Sequence, residues 1–312
     1  MTKKLKKESI YAIGVDIGGT SVRSGLVSAR GRLRRGSLHR VPVNSKGPRE
    51  RILETFVLPL RKNLRQADVD GYKVIGIGVG MCGPLDYDKG ICLIQGVDKY
   101  ESLYGTNLKE EFRRRLDLPG TFTIDFEIDT WDFARGEAWR GNAQGFQRVL
   151  ALTLGTGLGS AFIANGELLA DGPGVPPPYG WIGSLPYRDG RMDDMFSRRG
   201  ILALYHSLSQ ESFKKGFDVK HIAHRAKNGD STCIHVFQRF GRLLGEALAP
   251  ILKEFGAECL VLGGQISKSF DLFETSLREP LIELHHLKRI TVARSIHMAS
   301  IWGAAHRILC RS

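Results

Sequence analysis

Three glycine-rich segments and one run of carboxylates carry the residue types that chemistry would use. In VDIGGTSVR (Val15 to Arg23), Gly18 and Gly19 let the backbone approach a ligand closely and turn its N–H groups toward one point. Thr20 adds a hydroxyl donor, and the nest suits phosphate oxygens, with Asp16 at the strand end placed to hold Mg²⁺ through water. A plain hairpin turn is an equal reading of the same residues. LGTGLGS (Leu154 to Ser160) has the same character, with Thr156 between Gly155 and Gly157. It matches neither a P-loop nor a dinucleotide fingerprint, because a strand rather than a helix follows. LVLGGQIS ends a buried run at Gly263 and Gly264 ahead of a helix, a natural place for a nucleotide to lie.

The carboxylates lie in IDFEIDTWDFARGE, which contains Asp125, Glu127, Asp129, Asp132 and Glu137. Asp129 falls where a strand ends and a helix begins, so the helix dipole is expected to keep it ionised and its side chain can point into a cleft. An ordinary N-cap is the competing reading. A carboxylate in such a place can accept the proton of an attacking hydroxyl, which is most of what phosphoryl transfer asks of a protein side chain. A further stretch, GVPPPYGWIGSLPY (Gly174 to Tyr187), packs prolines, aromatics and glycines together and reads either as a surface turn or as the wall of a site.

The elements that must position these residues repeat. YAIGVDIGGTSVRSGLVSARGRLRRGSLHRV predicts three short antiparallel strands, followed by a helix over 48–67 with Ile52, Phe56, Leu60 and Leu64 on one face. KVIGIGVG is a buried strand, NLKEEFRRRL a helix, TFTIDFEI a strand, and 129–140 a helix. RVLALTLGTGLGSAFIANGEL then starts the same order again, followed by helices over 197–209 and 231–255, the strand CLVLGG, a helix near 271–284, the strand RITVAR and a final helix through SIWGAAHRIL. The expected fold class is α/β with duplicated lobes, a ligand being expected in the cleft of such a pair.

Composition narrows the function classes. The 312 residues are 42% hydrophobic and 25% charged, the profile of a soluble globular protein, and are enough for two domains. No apolar run reaches the roughly 20 residues of a membrane span, and the basic start MTKKLKKES leads into a strand-like run rather than a signal-peptide core, so no membrane is expected and a cytoplasmic location is. Five cysteines without CxxC spacing argue against a disulfide framework or a local cysteine-built zinc site. The net charge of +12 is dispersed along the chain without a nucleic-acid-binding motif, so no nucleic-acid partner is expected.

The order DIGGT, GIGVGMCGP (Gly76 to Pro84), acidic strand-to-helix junction, LGTGLG, VLGG and terminal GAA resembles the ROK sugar kinases of the actin-like ATPase superfamily, over residues 11–308. The resemblance implies a two-lobed, ribonuclease H-like fold with duplicated mixed-sheet domains, one lobe of residues 1–129 plus about 297–312 and the other of 130–296. It also implies ATP and Mg²⁺ as co-substrate and metal, a sugar, amino sugar or sugar-like cyclitol as acceptor, and a homodimer. Asp16, Gly18, Gly19, Thr20, Arg23, Gly155, Thr156 and Gly157 would hold phosphates and metal, with Gly263 and Gly264 facing adenosine. Counting back from Gly136 and Glu137 places the family's general base on Asp129, although the Asn that precedes it in the family is Ile128 here. Gly83, Pro84, Ile128 and Asp129 would line the acceptor site, with the family's upstream Asn replaced near Asp98 or Lys99.

The acceptor side departs from the family. Its AGE[IL]GH motif corresponds to Tyr179–Ser184, so the sugar-binding Glu is Trp181 and the zinc-binding His is Ser184. The cysteine cluster that follows in the family is absent too, so without the His and the cysteines no zinc site is expected, and Asp193 falls near the family's last sugar-binding Glu. A charged acceptor contributes about 1.5–3 kcal/mol per hydrogen bond, so the lost Glu costs selectivity for glucose. Trp181 offers a flat apolar face and one N–H donor, or serves core packing instead. Two other readings remain: a catalytically silent sugar-binding or regulatory protein, and a polyphosphate-dependent sugar kinase. The repressor form that carries a helix-turn-helix ahead of DIGGT is not expected, since ten residues precede the first strand.

Overall fold

The computed structural model describes residues 9–209, 216–295 and 297–311; most of the basic N-terminal run lies outside them. The chain divides into two compact units, one of residues 1–140 with 297–312 and one of 141–296.

In the first unit, Ile10–Ile17 (β1), Ser21–Ser28 (β2) and His39–Pro42 (β3) pair antiparallel, as the alternation of apolar residues predicts. Helix α1 (Arg49–Val69) follows, then Lys73–Met81 (β4), a short hairpin of Leu85–Asp86 (β5) and Ile91–Cys92 (β6), helix α2 (Leu108–Leu116), Thr123–Glu127 (β7) and helix α3 (Asp129–Arg140). The sheet order is β3-β2-β1-β4-β7, with β4 parallel to β1 and β7 parallel to β4. Alternate residues of β1 serve two cores. Tyr11, Ile13, Val15 and Ile17 pack with Ile52, Phe56 and Leu60 of α1, while Ala12 faces Ile301, Ala305 and Ile308 of the C-terminal helix Ala299–Leu309. On that second face Gly14 and Gly78 let the helix lie on the sheet: a β carbon at either would come within 2.0 Å of the carbonyl oxygen of Ile301 or Ala304.

The second unit repeats the plan. Arg148–Leu154 (β8), Leu158–Ala164 (β9) and Glu167–Leu169 (β10) form an antiparallel set extended by parallel strands at Cys259–Gly263 and Arg289–Val292. Between them come a hairpin of Pro186–Tyr187 (β11) and Gly190–Arg191 (β12), helix α4 (Met192–Met195), α5 (Arg198–Ser209), α6 (Val219–Lys227) and α7 (Ser231–Phe255). With Cys259–Gly263 as β13 and Arg289–Val292 as β14, the order is β10-β9-β8-β13-β14, the same as in the first sheet. α7 is long because Asp230 caps it at Cys233 N (3.0 Å), apolar residues recur on one face and Gly256 ends it at φ +67°.

The expected duplicated α/β architecture is therefore present. Three details differ from the sequence reading. The helix over 129–140 packs on the C-terminal helix and belongs with the first unit, which moves the boundary from 129/130 to 140/141. The helix expected near 271–284 is broken into short pieces, with α8 only Glu274–Arg278, because Phe273 leaves helical φ/ψ and Pro280 brings no N–H donor. Helix α6 was not anticipated. Among the described residues no helix is long and apolar enough to cross a membrane.

Candidate functional site

In the first unit the DIGGT segment is the β1–β2 turn. Asp16 stands opposite Arg23 in the ladder, and Arg23 donates to its Oδ2 at 3.1 Å. Gly18 N donates to Ser21 O at 3.1 Å, and the Tyr100 hydroxyl donates to Gly18 O at 2.6 Å, so the turn is fixed from outside as well as within. Gly18 and Gly19 are half-buried and Thr20 is exposed. Burial pushes the Asp16 carboxyl up to about 6; Arg23 opposes the shift and the nearby charge of Asp129 adds to it.

β7 and α3 deliver the carboxylate run. Arg307, on the C-terminal helix, binds three of its members: Asp125 at 2.5 Å, Glu127 at 3.2 Å and the fully buried Asp132 at 3.1 Å. Glu137 is also fully buried. Asp129 is different: it opens α3, accepts from Thr130 N at 2.8 Å, and has no salt bridge among the described residues. Burial raises its pKa, and the backbone N–H of Thr130 and the charge of Lys99 pull it back only in part. The helix N-terminus expected to keep it ionised is thus outweighed by desolvation. Ile128 precedes it, half-buried, with its carbonyl accepting from Trp131 N and Asp132 N.

After β4 the chain passes Cys82 and the cis Gly83–Pro84 peptide, with Tyr87 donating to Met81 O at 3.0 Å. Asp98, the residue expected near the acceptor, turns outward and pairs with Lys46, its side chain 80% exposed. Its neighbour Lys99 is half-buried and donates to Cys82 Sγ at 3.1 Å. The first unit thus gathers Asp16, Gly18, Gly19, Cys82, Lys99 and Asp129 through these contacts and through shared electrostatics.

In the second unit the LGTG segment is the β8–β9 turn. Arg198 N donates to Gly155 O (2.7 Å) and Leu158 N donates to Asp193 Oδ1 (2.6 Å). Asp193 Oδ2 accepts from Arg199 at 2.7 Å, so both oxygens of the carboxylate assigned to sugar already have partners. Thr156 is exposed at the tip. β13 pairs with β8 through Gly263 opposite Thr153, which places VLGG beside this turn. Gly264 has φ +82°, and a β carbon there would lie 2.2 Å from Leu154 O, so both conformation and space require glycine.

The stretch from Gly174 to Tyr187 is fastened to β9. Ser160 Oγ donates to Gly180 O at 2.6 Å and accepts from Ile182 N at 2.9 Å. Trp181 is 40% exposed, and its indole N–H donates to Leu158 O at 2.8 Å. The stretch is therefore packed on β9, next to the LGTG turn, rather than a detached surface loop. The donor that sequence reasoning offered to a substrate is spent on the backbone, which leaves the ring face. Ser184 Oγ donates to Trp181 O at 2.8 Å. Among the described residues, no three of His, Cys, Asp and Glu gather as metal ligands.

Sequence reasoning missed Arg307, Lys99 as the inward-facing neighbour of Asp98, and the Tyr100 tether. A single arginine among the apolar residues of the last helix was the one available signal for Arg307.

The chain is 26% identical to the glucokinase of Thermotoga maritima over 291 residues, 87% of each chain. It is 26% identical to the N-acetyl-D-glucosamine kinase of Pectobacterium atrosepticum over 317 residues, covering 94% of this chain and 97% of that one. The crystal structure of a ROK family glucokinase from Streptomyces griseus, in complex with glucose and AMPPNP, superposes with a TM-score of 0.73 at 24% identity, covering 95% of this chain and 98% of that one. The ROK family model matches residues 12–309, and with the motif order and the twin sheets in place, this chain belongs to the ROK family.

Proposed function

We propose that the protein transfers the γ-phosphoryl group of ATP to a hydroxyl of a sugar, amino sugar or sugar-like cyclitol, with Asp129 as general base. The observation that carries this reading is Asp129 itself: a half-buried carboxylate at a strand-to-helix junction, without a salt bridge among the described residues while its neighbours are bound by Arg307. A carboxyl raised by burial is a stronger base when ionised and suits removal of a hydroxyl proton. The activities named for the glucokinase and N-acetyl-D-glucosamine kinase relatives support the reaction class.

Asp16, Gly18, Gly19, Thr20 and Arg23, and in the second unit Gly155, Thr156 and Gly157, would hold the phosphates, with Gly263 and Gly264 toward adenosine. Mg²⁺ fits the donor set: Asp16 is a half-buried carboxylate whose pKa stays raised despite Arg23, so it is short of positive charge. One carboxylate together with nucleotide phosphates is the usual protein contribution to such a site. When bound, Mg²⁺ neutralises charge on the phosphate oxygens. Gly83, Pro84, Ile128 and the Trp181 ring face would line the acceptor, with Ser184 nearby in sequence. Asp98 and Asp193 could reach it only from the positions described above, outward-facing and hydrogen-bonded to the turn. The exposed ring favours an acceptor with an apolar face or bulky substituent.

A second reading, a catalytically silent sugar-binding protein, is favoured by one observation: an indole with its N–H engaged stands where the family keeps a carboxylate. One assay separates the two. ADP release is measured from ATP, and phosphate transfer from polyphosphate, across neutral sugars, amino sugars and cyclitols. For the kinase, at least one acceptor stimulates turnover and Asp129→Asn lowers kcat by about 10²–10⁴-fold. Nucleotide binding without turnover on any acceptor leaves the silent reading standing. Near-normal turnover by Asp129→Asn removes the assigned base.

A further inference from the structure

We propose that Lys99 is an anion-binding residue at the reacting centre, its ammonium placed to hold an oxygen of the phosphoryl group as that group passes from the glycine turn to the acceptor. The proposal rests on the kinase reading above.

By the family resemblance, a neutral Asn is replaced in this part of the chain by Asp98 or Lys99, and the geometry separates the two. Asp98 and Tyr100 both adopt left-handed backbone, with φ of 56° and 57°, and Lys99 lies between them. Asp98 faces solvent and pairs with Lys46. Tyr100 is fully buried against Phe56, ring centroids 5.3 Å apart, and its hydroxyl holds Gly18 O. The segment is thereby fastened to the DIGGT turn. Lys99 runs alongside that turn: its Cδ lies 4.0 Å from the position a β carbon on Gly19 would take. Its Nζ reaches Cys82 Sγ at 3.1 Å, and its charge acts on Asp129.

Among the described residues Lys99 has no carboxylate within salt-bridge distance, and a thiol is a weak acceptor for an ammonium with three donors. A half-buried cation with so poor a partner gains most from an anionic oxygen. It lies beside the turn proposed to hold phosphate, and its charge is felt by the carboxylate proposed to take the proton. During transfer the bond from phosphorus to the ADP oxygen breaks and a bond to the acceptor oxygen forms. The acceptor proton passes to Asp129, and the three equatorial oxygens carry the charge that Lys99 would meet. The same ammonium could instead hold a carboxylate borne by the acceptor, and the test has an arm for each source.

The full chain, Lys99→Met, Lys99→Gln and Lys99→Arg are titrated calorimetrically with Mg²⁺ADP and with Mg²⁺AMPPNP. A phosphoryl contact predicts that both neutral variants bind AMPPNP about 10–100-fold more weakly, with ADP unchanged and Lys99→Arg in between. The glutamine variant guards against a methionine variant that fails to fold. In the second arm, glucuronate and glucose are titrated in the presence of AMPPNP. If the anion belongs to the acceptor, the wild type prefers glucuronate by about tenfold or more, the neutral variants lose that preference and nucleotide affinities stay level, which overturns the phosphoryl assignment. Equal weakening of ADP and AMPPNP, or no change in either arm, overturns the proposal. Because AMPPNP is not turned over, binding as expected without turnover on any acceptor would sink the kinase reading alone.

Discussion

The two glycine turns occupy the same place in equivalent sheets and are held by opposite means. The β1–β2 turn is tethered through carbonyl oxygen, with Tyr100 donating to Gly18, while the carboxylate of Asp16 has Arg23 as its salt-bridge partner among the described residues. The β8–β9 turn is latched by a carboxylate: Asp193 takes Leu158 N and Arg199, and Trp181 closes onto the same residue from its carbonyl side. The second turn is thus latched by a carboxylate brought in from α4, whereas the first has a strand carboxylate of its own that is left short of positive charge. Such a deficit is what a metal–phosphate ligand relieves.

The contrast can be broken by exchanging effects between the turns. Asp16→Asn should lower kcat by about 10²–10³-fold while the protein stays folded. It should also change the pH dependence of stability. With its pKa raised from 3.8 to about 6, the native state keeps a proton that the unfolded chain has released. Ligand-free stability therefore falls as pH rises from about 4 to about 6, by on the order of 2–3 kcal/mol. Denaturant melts across that window should show the slope in the wild type and a flatter line for Asp16→Asn; a slope that survives the substitution assigns it to another group.

Asp193→Ala should act in the other sense. It strips Leu158 N of its acceptor and costs about 1–3 kcal/mol in urea unfolding, with weaker nucleotide binding as a consequence of a looser turn. If the variant is as stable as the wild type yet inactive, the carboxylate serves substrate rather than architecture and the contrast fails. The smallest effect is expected for Trp181→Phe, which keeps the ring face and removes one hydrogen bond, about 0.5–1.5 kcal/mol. Acceptor preference should then persist if the face, rather than the N–H, meets the substrate.

The parts of this picture that were legible in the sequence are those set by local pattern. Alternating apolar residues around Gly18 and Gly155 define the hairpins, and a strand running into a helix marks Asp129, because periodicity and turn chemistry operate over a few residues. What escaped depends on distant partners. Arg307 meets Asp132 across 175 positions, and Tyr100 meets Gly18 across 82. Asp193 reads as a substrate ligand from its motif position, and the contact with Leu158 N that engages it lies 35 residues upstream. The broken helix around Pro280 is a different kind of miss, a local breaker that the apolar spacing masked.

The placement of the C-terminal helix bears on how the chain is made. Its partners in the first unit, Ala12, Gly14 and Gly78, leave the ribosome long before Ile301 and Ala304 do. Until then one face of the β1–β4 sheet waits uncovered, while residues 141–296 have every strand of their own sheet in hand. The second unit can close by itself during synthesis, whereas the first must wait for the last helix. This order leaves β1 and β4 open to aggregation until that helix has been made.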